Sequence, residues 1–430
     1  MSKVLVISSD AMVGEDLVQY RQTSSYRRLF AGGAQVRQVR SIYPSLTLPA
    51  HVTMMTGMYP EHHGIASNTL LTPGTVPAPW HWEYGPIRCD TVFKAAKQAG
   101  RTTAAVFWPV TGSNPDIDYL LADNWPYGPG DTLEKAFRRT GTTPEVLQIV
   151  ERHKAIYEHC QQKHPERDLF GIRCACDILR QFRPDLMLLH PANIDAVRHT
   201  QGIFGPHITK AVEELDDWLN ALADAMEEAG VLDETDIFLV SDHGQRNFTR
   251  FVSLNVELAR AGLIRLDGDG KVESWDAWCM TNGMSALIYL RDPADQGLHD
   301  QVYALLQQLQ QTGLYGFSRL YTTEEACREE HLGGDFSFVV ETDGYTSFGD
   351  WCTGPAARPA DQPDYHCGRG DHGYLPTFGP QPILLANGPD IRPGALLEQA
   401  RLVDEAPTYA RILGGTLAGT DGRVLEELLR

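Results

Sequence analysis

Seven residues spread along the 430-residue chain have types and spacings that could do chemistry together: Asp10, Thr47, Asp195, His199, Asp242, His243 and His372. Three carboxylates and three imidazoles make two sets of N/O ligands, a composition suited to zinc and workable for manganese or iron. The seventh is a hydroxyl, a weak nucleophile unless a metal or a base activates it. Asp195 and His199 are four apart, so one helical turn puts both on the same face. Asp242 and His243 are adjacent in SDHG, and His372 sits in RGDHGYLP, where neighbouring glycines let backbone approach a site closely. Each residue alone has a plain structural role, since an Asp after a strand or a Thr before a helix can simply be a cap. The joint pattern carries the reading: SDHG after a strand, GDHG in a loop, and D-x-x-x-H after another strand.

Positioning these groups requires elements that converge. VLVISSD, DLMLLHPANID and TDIFLVSDH are short apolar runs ending at Asp10, Asp195, and Asp242 with His243. Such runs are strands of a parallel sheet covered on both faces. Helical stretches lie between them, for instance residues 207–230 with a terminal glycine, so the chain reads as α/β with a mostly parallel sheet. Ligands of such folds bind beyond the carboxyl ends of the strands, where the three acids fall. Residues 131–183 read as a helical insertion and 263–350 as a smaller, partly antiparallel α/β insertion with a helix at about 298–312. The expectation is one catalytic domain over 1–430 carrying both elaborations.

Composition narrows the partners. With 37 basic against 56 acidic residues the net charge is −19, which argues against a nucleic-acid polymer or an anionic membrane. MSKVLVISSD is too short for a signal-peptide core and no apolar run is long enough to span a bilayer, so a soluble, cytoplasmic protein is expected. The cysteines at 89, 160, 174, 176, 279, 327, 352 and 367 lack the spacing of a disulfide scaffold or a zinc finger and read as free thiols.

The stretches VISSD, YPSLTLPAHVTMMTGMYPEHHGIASN, NIDAVRHTQGIFGPH, SDHG, GDHGYLP and PILLANGPDI together resemble the nucleotide pyrophosphatase/phosphodiesterase branch of the alkaline phosphatase superfamily. The resemblance frames residues 1–415, with 113–183 and 250–350 undiagnostic. It implies an alkaline-phosphatase-like core and a two-metal phosphodiesterase, most naturally with zinc, acting through a phosphothreonine. Carried over, Asp195, His199 and His372 hold one metal; Asp10, Asp242 and His243 hold the other, with Thr47 bridging toward it as nucleophile. Asn68, in GIASN, matches the family asparagine that hydrogen-bonds a phosphoryl oxygen. The chain departs from the family where E-P-D-x-x-G-H becomes NIDAVRH and TFPN becomes TLPA; the ligand types and the threonine survive.

Two divalent ions against three aspartates and an alkoxide leave a site near neutrality, which suits a monoanionic phosphodiester or nucleotide substrate; Arg198 and Arg369, beside ligands, could alter that balance. Aromatics beside prolines in 77–86 and 107–119 offer Trp80, Trp82 and Trp108 as a stacking wall for a base, or as rigid loop packing. His62 and His63 read as structural. The alternative is a phosphonoacetate-type hydrolase or phosphomonoesterase of the same superfamily. The phosphonoacetate reading needs cations for a substrate carboxylate, and Lys94 and Lys97 look like exposed helix positions. A sulfatase is disfavoured by the lack of C/S-x-P-x-R.

Overall fold

The computed structural model describes residues 2–126, 130–160, 163–360 and 369–430, with side-chain placement omitted at Cys160. Its centre is an eight-stranded sheet. The first six strands along the chain are β1 (Lys3–Ser8), β2 (Ala34–Arg40), β3 (Thr103–Val106), β4 (Tyr119–Leu121), β5 (Leu186–Leu189) and β6 (Thr235–Val240). The spatial order is Leu396–Arg401, β2, Leu384–Asn387, β6, β1, β5, β3, β4, and only the Leu384–Asn387 strand runs antiparallel to its neighbours. The fold is therefore α/β with a large, mostly parallel sheet.

The alternating side chains of β1 show why its run is continuously apolar. Leu5 and Ile7 enter a core shared with the Pro206–Ala229 helix, while Val4 and Val6 enter a second core shared with the Thr47–Thr56 helix. Both faces are covered, so neither alternate position can be polar. The Pro206–Ala229 helix ends at Gly230 in the left-handed conformation, the C-cap that its sequence predicts.

Register sets where the polar ends emerge. Ser8 of β1 pairs with Val240 of β6, and Ile7 pairs with Leu189 of β5. The residues just beyond, Asp10, His190 and Asp242, consequently open onto one edge. Asp195 arrives differently. It sits in the first turn of the Asn193–Gln201 helix that follows β5, not at the strand end itself.

Three helices, Leu133–Arg139, Pro144–Cys160 and Glu166–Phe182, occupy the first elaborated region. The second holds a four-stranded antiparallel sheet in the order Ala277–Thr281, Ser285–Leu290, Phe338–Thr342, Phe317–Thr322, with the Gln296–Thr312 helix, around its own apolar core. No helix among the described residues is long and apolar enough to cross a membrane. The six cysteines described with side chains are free; the Cys160 thiol and Cys367 lie outside the described residues.

Candidate active site

Thr47 opens a ten-residue helix, Thr47–Thr56, whose preceding residue Leu46 is extended and whose C-cap, Gly57, is left-handed. Its hydroxyl is nearly buried and lies 3.1 Å from His243 Nε2. Around the same nitrogen stand Asp242 Oδ2 at 3.2 Å and Asp10 Oδ1 at 3.5 Å. Both of these carboxylate oxygens are buried and take no hydrogen bond. Two anionic oxygens sealed together without donors are costly unless a cation lies between them. The separations match the roughly 3.3 Å edges of a tetrahedron built on metal–ligand bonds of about 2.0 Å. Asp10, Asp242, His243 and Thr47 thus fit a divalent ion.

A second set adjoins the first. His199 Nδ1–H donates to the Gly370 carbonyl at 2.8 Å, which fixes the lone pair on Nε2. That lone pair meets Asp195 Oδ2 at 3.4 Å, while His372 Nε2 lies 3.7 Å from Asp195 Oδ1. His199 Nε2 and His372 Nε2 thus converge on the Asp195 carboxylate, whose Oδ1 also accepts from Gln245 Nε2, an arrangement that a cation among them would suit. The His243 and His372 rings stack with centroids 4.1 Å apart, so the two sets are contiguous. Burial, with His243 and His199 adding to it, keeps His372 well below the usual imidazole range and therefore neutral and ligand-ready. Burial and the neighbouring Asp195 and Asp242 push the Asp10 carboxyl well above its usual range, the response of an acid crowded among other acids.

A third grouping, His51 with His190 and Asp242, is close enough for a metal but chemically wrong for one. His51 Nδ1–H donates to the Thr47 carbonyl at 2.7 Å and Nε2 accepts from the Ser8 hydroxyl at 2.9 Å, so neither nitrogen is available. Burial holds this imidazole down to about 3, and it stays neutral. His190 Nε2–H reaches Asp10 Oδ2 at 3.1 Å, and the two imidazoles touch edge to face at 4.2 Å. They form a platform under the site, orienting Asp10 and the start of the Thr47 helix. Sequence reading missed both. His190 stood at the end of the β5 run, where the same logic that selected Asp10 would have selected it.

Asn68 is half-buried, and its Oδ1 accepts the Leu48 N–H at 2.9 Å, which turns the side-chain NH2 outward. The N–H groups after Thr47 consequently form no phosphate cradle. Leu48 N–H is engaged by Asn68, Pro49 has none, and Ala50 N–H bonds Leu46 O at 2.9 Å. The Thr47 N–H is the amide of this turn without a protein acceptor among the described residues.

Arg198 does not alter the charge balance. It is buried with its guanidinium committed to Asp16 at 2.5 Å and to the Ile203 carbonyl. Arg369 is exposed, and its N–H donates to His199 O at 2.7 Å. Among the described residues, no Lys or Arg pairs with the six candidate ligands. Lys94 and Lys97 bind Asp90 and Asp118 on the Val92–Gln98 helix. His63 is buried between Thr53 and Ile65, and His62 pairs with Asp421.

The tryptophans divide. Trp80 and Trp82 stack at 5.9 Å, and Trp125 packs against Trp82 at 4.3 Å. This cluster adjoins Asn68, because His81 N–H donates to Asn68 O at 3.0 Å and Leu70 N–H to Pro79 O at 2.7 Å. Trp108 does not join it. Fully buried, it packs on the His51 ring at 4.8 Å and donates to His51 O at 3.3 Å, so it presents no face to a ligand. Apolar flanks do not distinguish a wall tryptophan from a core one, and Trp125 lies outside the two aromatic–proline stretches, 77–86 and 107–119.

The family model of type I phosphodiesterase/nucleotide pyrophosphatase matches residues 4–375. The chain belongs to this family. A curated relative, ectonucleotide pyrophosphatase/phosphodiesterase family member 1 of Rattus norvegicus, is 24% identical over 241 residues, covering 54% of this chain and 23% of that protein. Venom phosphodiesterase 2 of Crotalus adamanteus is 24% identical over 227 residues, covering 50% of this chain and 23% of its own. The chain thus matches only about a quarter of the length of these relatives. Murine ectonucleotide pyrophosphatase/phosphodiesterase 5 superposes with a TM-score of 0.66 at 20% identity, over 100% of both chains. An inactive threonine-to-alanine variant of that murine protein, in complex with AMP, gives a TM-score of 0.66 at 19% identity, again over 100% of both chains. At that identity the likeness speaks for the shared fold.

Proposed function

We propose that this protein hydrolyses phosphodiester or phosphoanhydride bonds of small, nucleotide-like substrates through a covalent phosphothreonine at Thr47. The observation that carries the reading is the Thr47 hydroxyl at a helix N-terminus, 3.1 Å from His243 and beside two carboxylate oxygens with no donor. Asp10, Asp242 and His243, with Thr47, would hold one divalent ion; Asp195, His199 and His372 would hold a second, zinc by ligand type, with manganese or iron workable. When bound, such ions neutralise charge and lower the pKa of a hydroxyl or a water to near neutrality.

The chain's own groups do the rest. Thr47 Oγ attacks phosphorus as its proton passes to solvent, forming the Thr–O–P bond while the bond to the leaving alcohol or phosphate breaks and the leaving oxygen takes up a proton from solvent. The Thr47 N–H and the Asn68 NH2 donate to non-bridging oxygens, aided by the helix dipole. Water then attacks the phosphothreonine and returns the hydroxyl. His51 holds the Thr47 carbonyl and His190 holds Asp10, so neither group reorganises during attack. The bound inactive threonine variant of the murine neighbour, with AMP as its ligand, supports a nucleotide substrate and an essential threonine. The commitment of Lys94 and Lys97 to surface aspartates weighs against a phosphonoacetate-type substrate.

The test is hydrolysis of bis(p-nitrophenyl) phosphate by zinc- or manganese-loaded protein. Activity that disappears with chelator and in Thr47→Ala supports the reading. A higher kcat/KM on p-nitrophenyl phosphate than on a nucleoside p-nitrophenyl ester would point instead to a phosphomonoesterase.

A further inference from the structure

The second elaborated region reaches the active site through one buried carboxyl. Glu341 lies in the Phe338–Thr342 strand opposite Ser285, only 1% exposed. Its Oε1 accepts the Leu375 N–H at 2.9 Å, three residues beyond His372. Its other side faces the Tyr43 phenol, four residues before Thr47, which also meets Ser285. The loops that Glu341 spans are stitched together directly. Gly373 N–H donates to Ser45 O at 2.8 Å, and the Ser45 hydroxyl donates to Tyr374 O at 2.8 Å. The same sheet grips the His372 carbonyl, through Met284 N–H at 2.7 Å, and Ala66 O, through Asn282 Nδ2 at 3.0 Å. The packing leaves little slack: a Cβ on Gly373 would stand 1.7 Å from Asn282 O, and one on Gly283 would stand 2.5 Å from His372 O.

We propose that Glu341 is a positioning residue, tying the nucleophile loop and the His372 loop to the antiparallel sheet so that Thr47 and the His372 ligand keep their relative placement. Glu341 Oε2, Tyr43 Oη and Ser285 Oγ are buried side by side, and none of them has a hydrogen-bond partner among the described residues. A carboxylic acid can donate into this trio, whereas a carboxylate would leave an anionic oxygen sealed beside two hydroxyls and far from solvent. Burial pushes the Glu341 carboxyl up to about 8; Leu375 N–H and Tyr43 oppose that shift, Glu330 adds to it, and Arg246 opposes it. Tyr321 and Tyr374 also face it, both pushed above the usual phenol range by burial, so they stay neutral where Glu341 titrates. The tie is therefore made by the neutral acid near pH 7 and weakens as the carboxyl ionises.

This inference rests on the phosphodiesterase reading for its kinetic arm only. Glu341→Gln keeps an acceptor for Leu375 and a neutral donor for the trio, and Glu341→Ala keeps neither. With bis(p-nitrophenyl) phosphate, Glu341→Gln should keep kcat near wild type at pH 7 and lose less activity than wild type as pH rises above about 8, while Glu341→Ala should lose about tenfold or more in kcat, as misplaced reacting groups do. Hydrogen exchange needs no turnover: amides around Ser45 and Leu375 should exchange faster in Glu341→Ala and as in wild type in Glu341→Gln. Equal loss in both variants, an alkaline limb unchanged by Glu341→Gln, or unaltered exchange in Glu341→Ala would overturn the proposal. Absence of wild-type turnover with the predicted exchange pattern would overturn the phosphodiesterase reading and leave the tie standing.

Discussion

Replacing His190 with phenylalanine should weaken metal binding selectively at the Asp10 site. His190 Nε2 is the donor for Asp10 Oδ2 at 3.1 Å, and both side chains are buried, so no bulk water can replace it. That bond fixes the carboxylate with Oδ1 turned toward His243, the orientation in which it would meet an ion. A hydrogen bond to a charged group contributes about 1.5–3 kcal/mol net, and its loss leaves a buried oxygen without a donor. Converted, this is a loss of roughly 10- to 100-fold in affinity, the usual scale for removing a group that orients a metal ligand. The assay is competitive zinc titration of metal-free protein against a chromophoric chelator, resolving two sites. His190→Phe should lower one affinity by that factor and lower the Asp195/His199/His372 site by less, because the lost hydrogen bond is made to Asp10 and to none of those three ligands. His190→Gln, which restores an N–H donor, should recover most of the loss. Wild-type affinity in His190→Phe, or an equal deficit in His190→Gln, would refute the assigned role.

Three further outcomes follow from the same geometry. Asn68→Ala should lower kcat/KM for a diester by about 10²–10³, the scale of one lost oxyanion donor, with metal content by plasma emission unchanged. Gly373→Ala should cost more than about 2 kcal/mol in urea unfolding, since it adds a Cβ 1.7 Å from Asn282 O at φ +91. For Glu341 the folded value of about 8 lies above the unfolded carboxylate range, so the fold binds the proton more tightly. Its stabilising contribution is whole below about pH 4.3 and declines up to pH 8, by as much as about 5 kcal/mol; Glu341→Gln should show a flatter stability–pH curve between those limits.

The fold class and the convergence of the candidate residues on one sheet edge were legible because each rests on a local rule. Apolar runs with no alternation mean strands covered on both faces, as the two cores flanking β1 show. Acidic and imidazole groups at the ends of such runs mean a polar edge. What stayed hidden depends on pairing between distant segments. His51 lies in an apolar helix, and only the tertiary contact of its Nε2 with Ser8 and its Nδ1–H with Thr47 O fixes its tautomer. The Asn68–Leu48 bond links residues 20 apart and has no sequence signature. For Trp108 a stacking wall and rigid packing read alike, because a WP pair looks the same in a loop and in a core; the His51 ring that covers it comes from another element. The Glu341 tie spans three separated segments, and no pattern in FSFVVETDG distinguishes it from an ordinary sheet residue.

The central claim is that Thr47 becomes covalently phosphorylated during turnover. Acid-quenching metal-loaded protein in the steady state with a nucleoside p-nitrophenyl ester, then mapping the tryptic peptides by mass spectrometry, tests it directly. The account predicts a nucleotidyl or phosphoryl adduct on Thr47, absent in Thr47→Ala and absent with chelator. Undiminished hydrolysis by Thr47→Ala, with no adduct at Thr47 in the wild type, would contradict it.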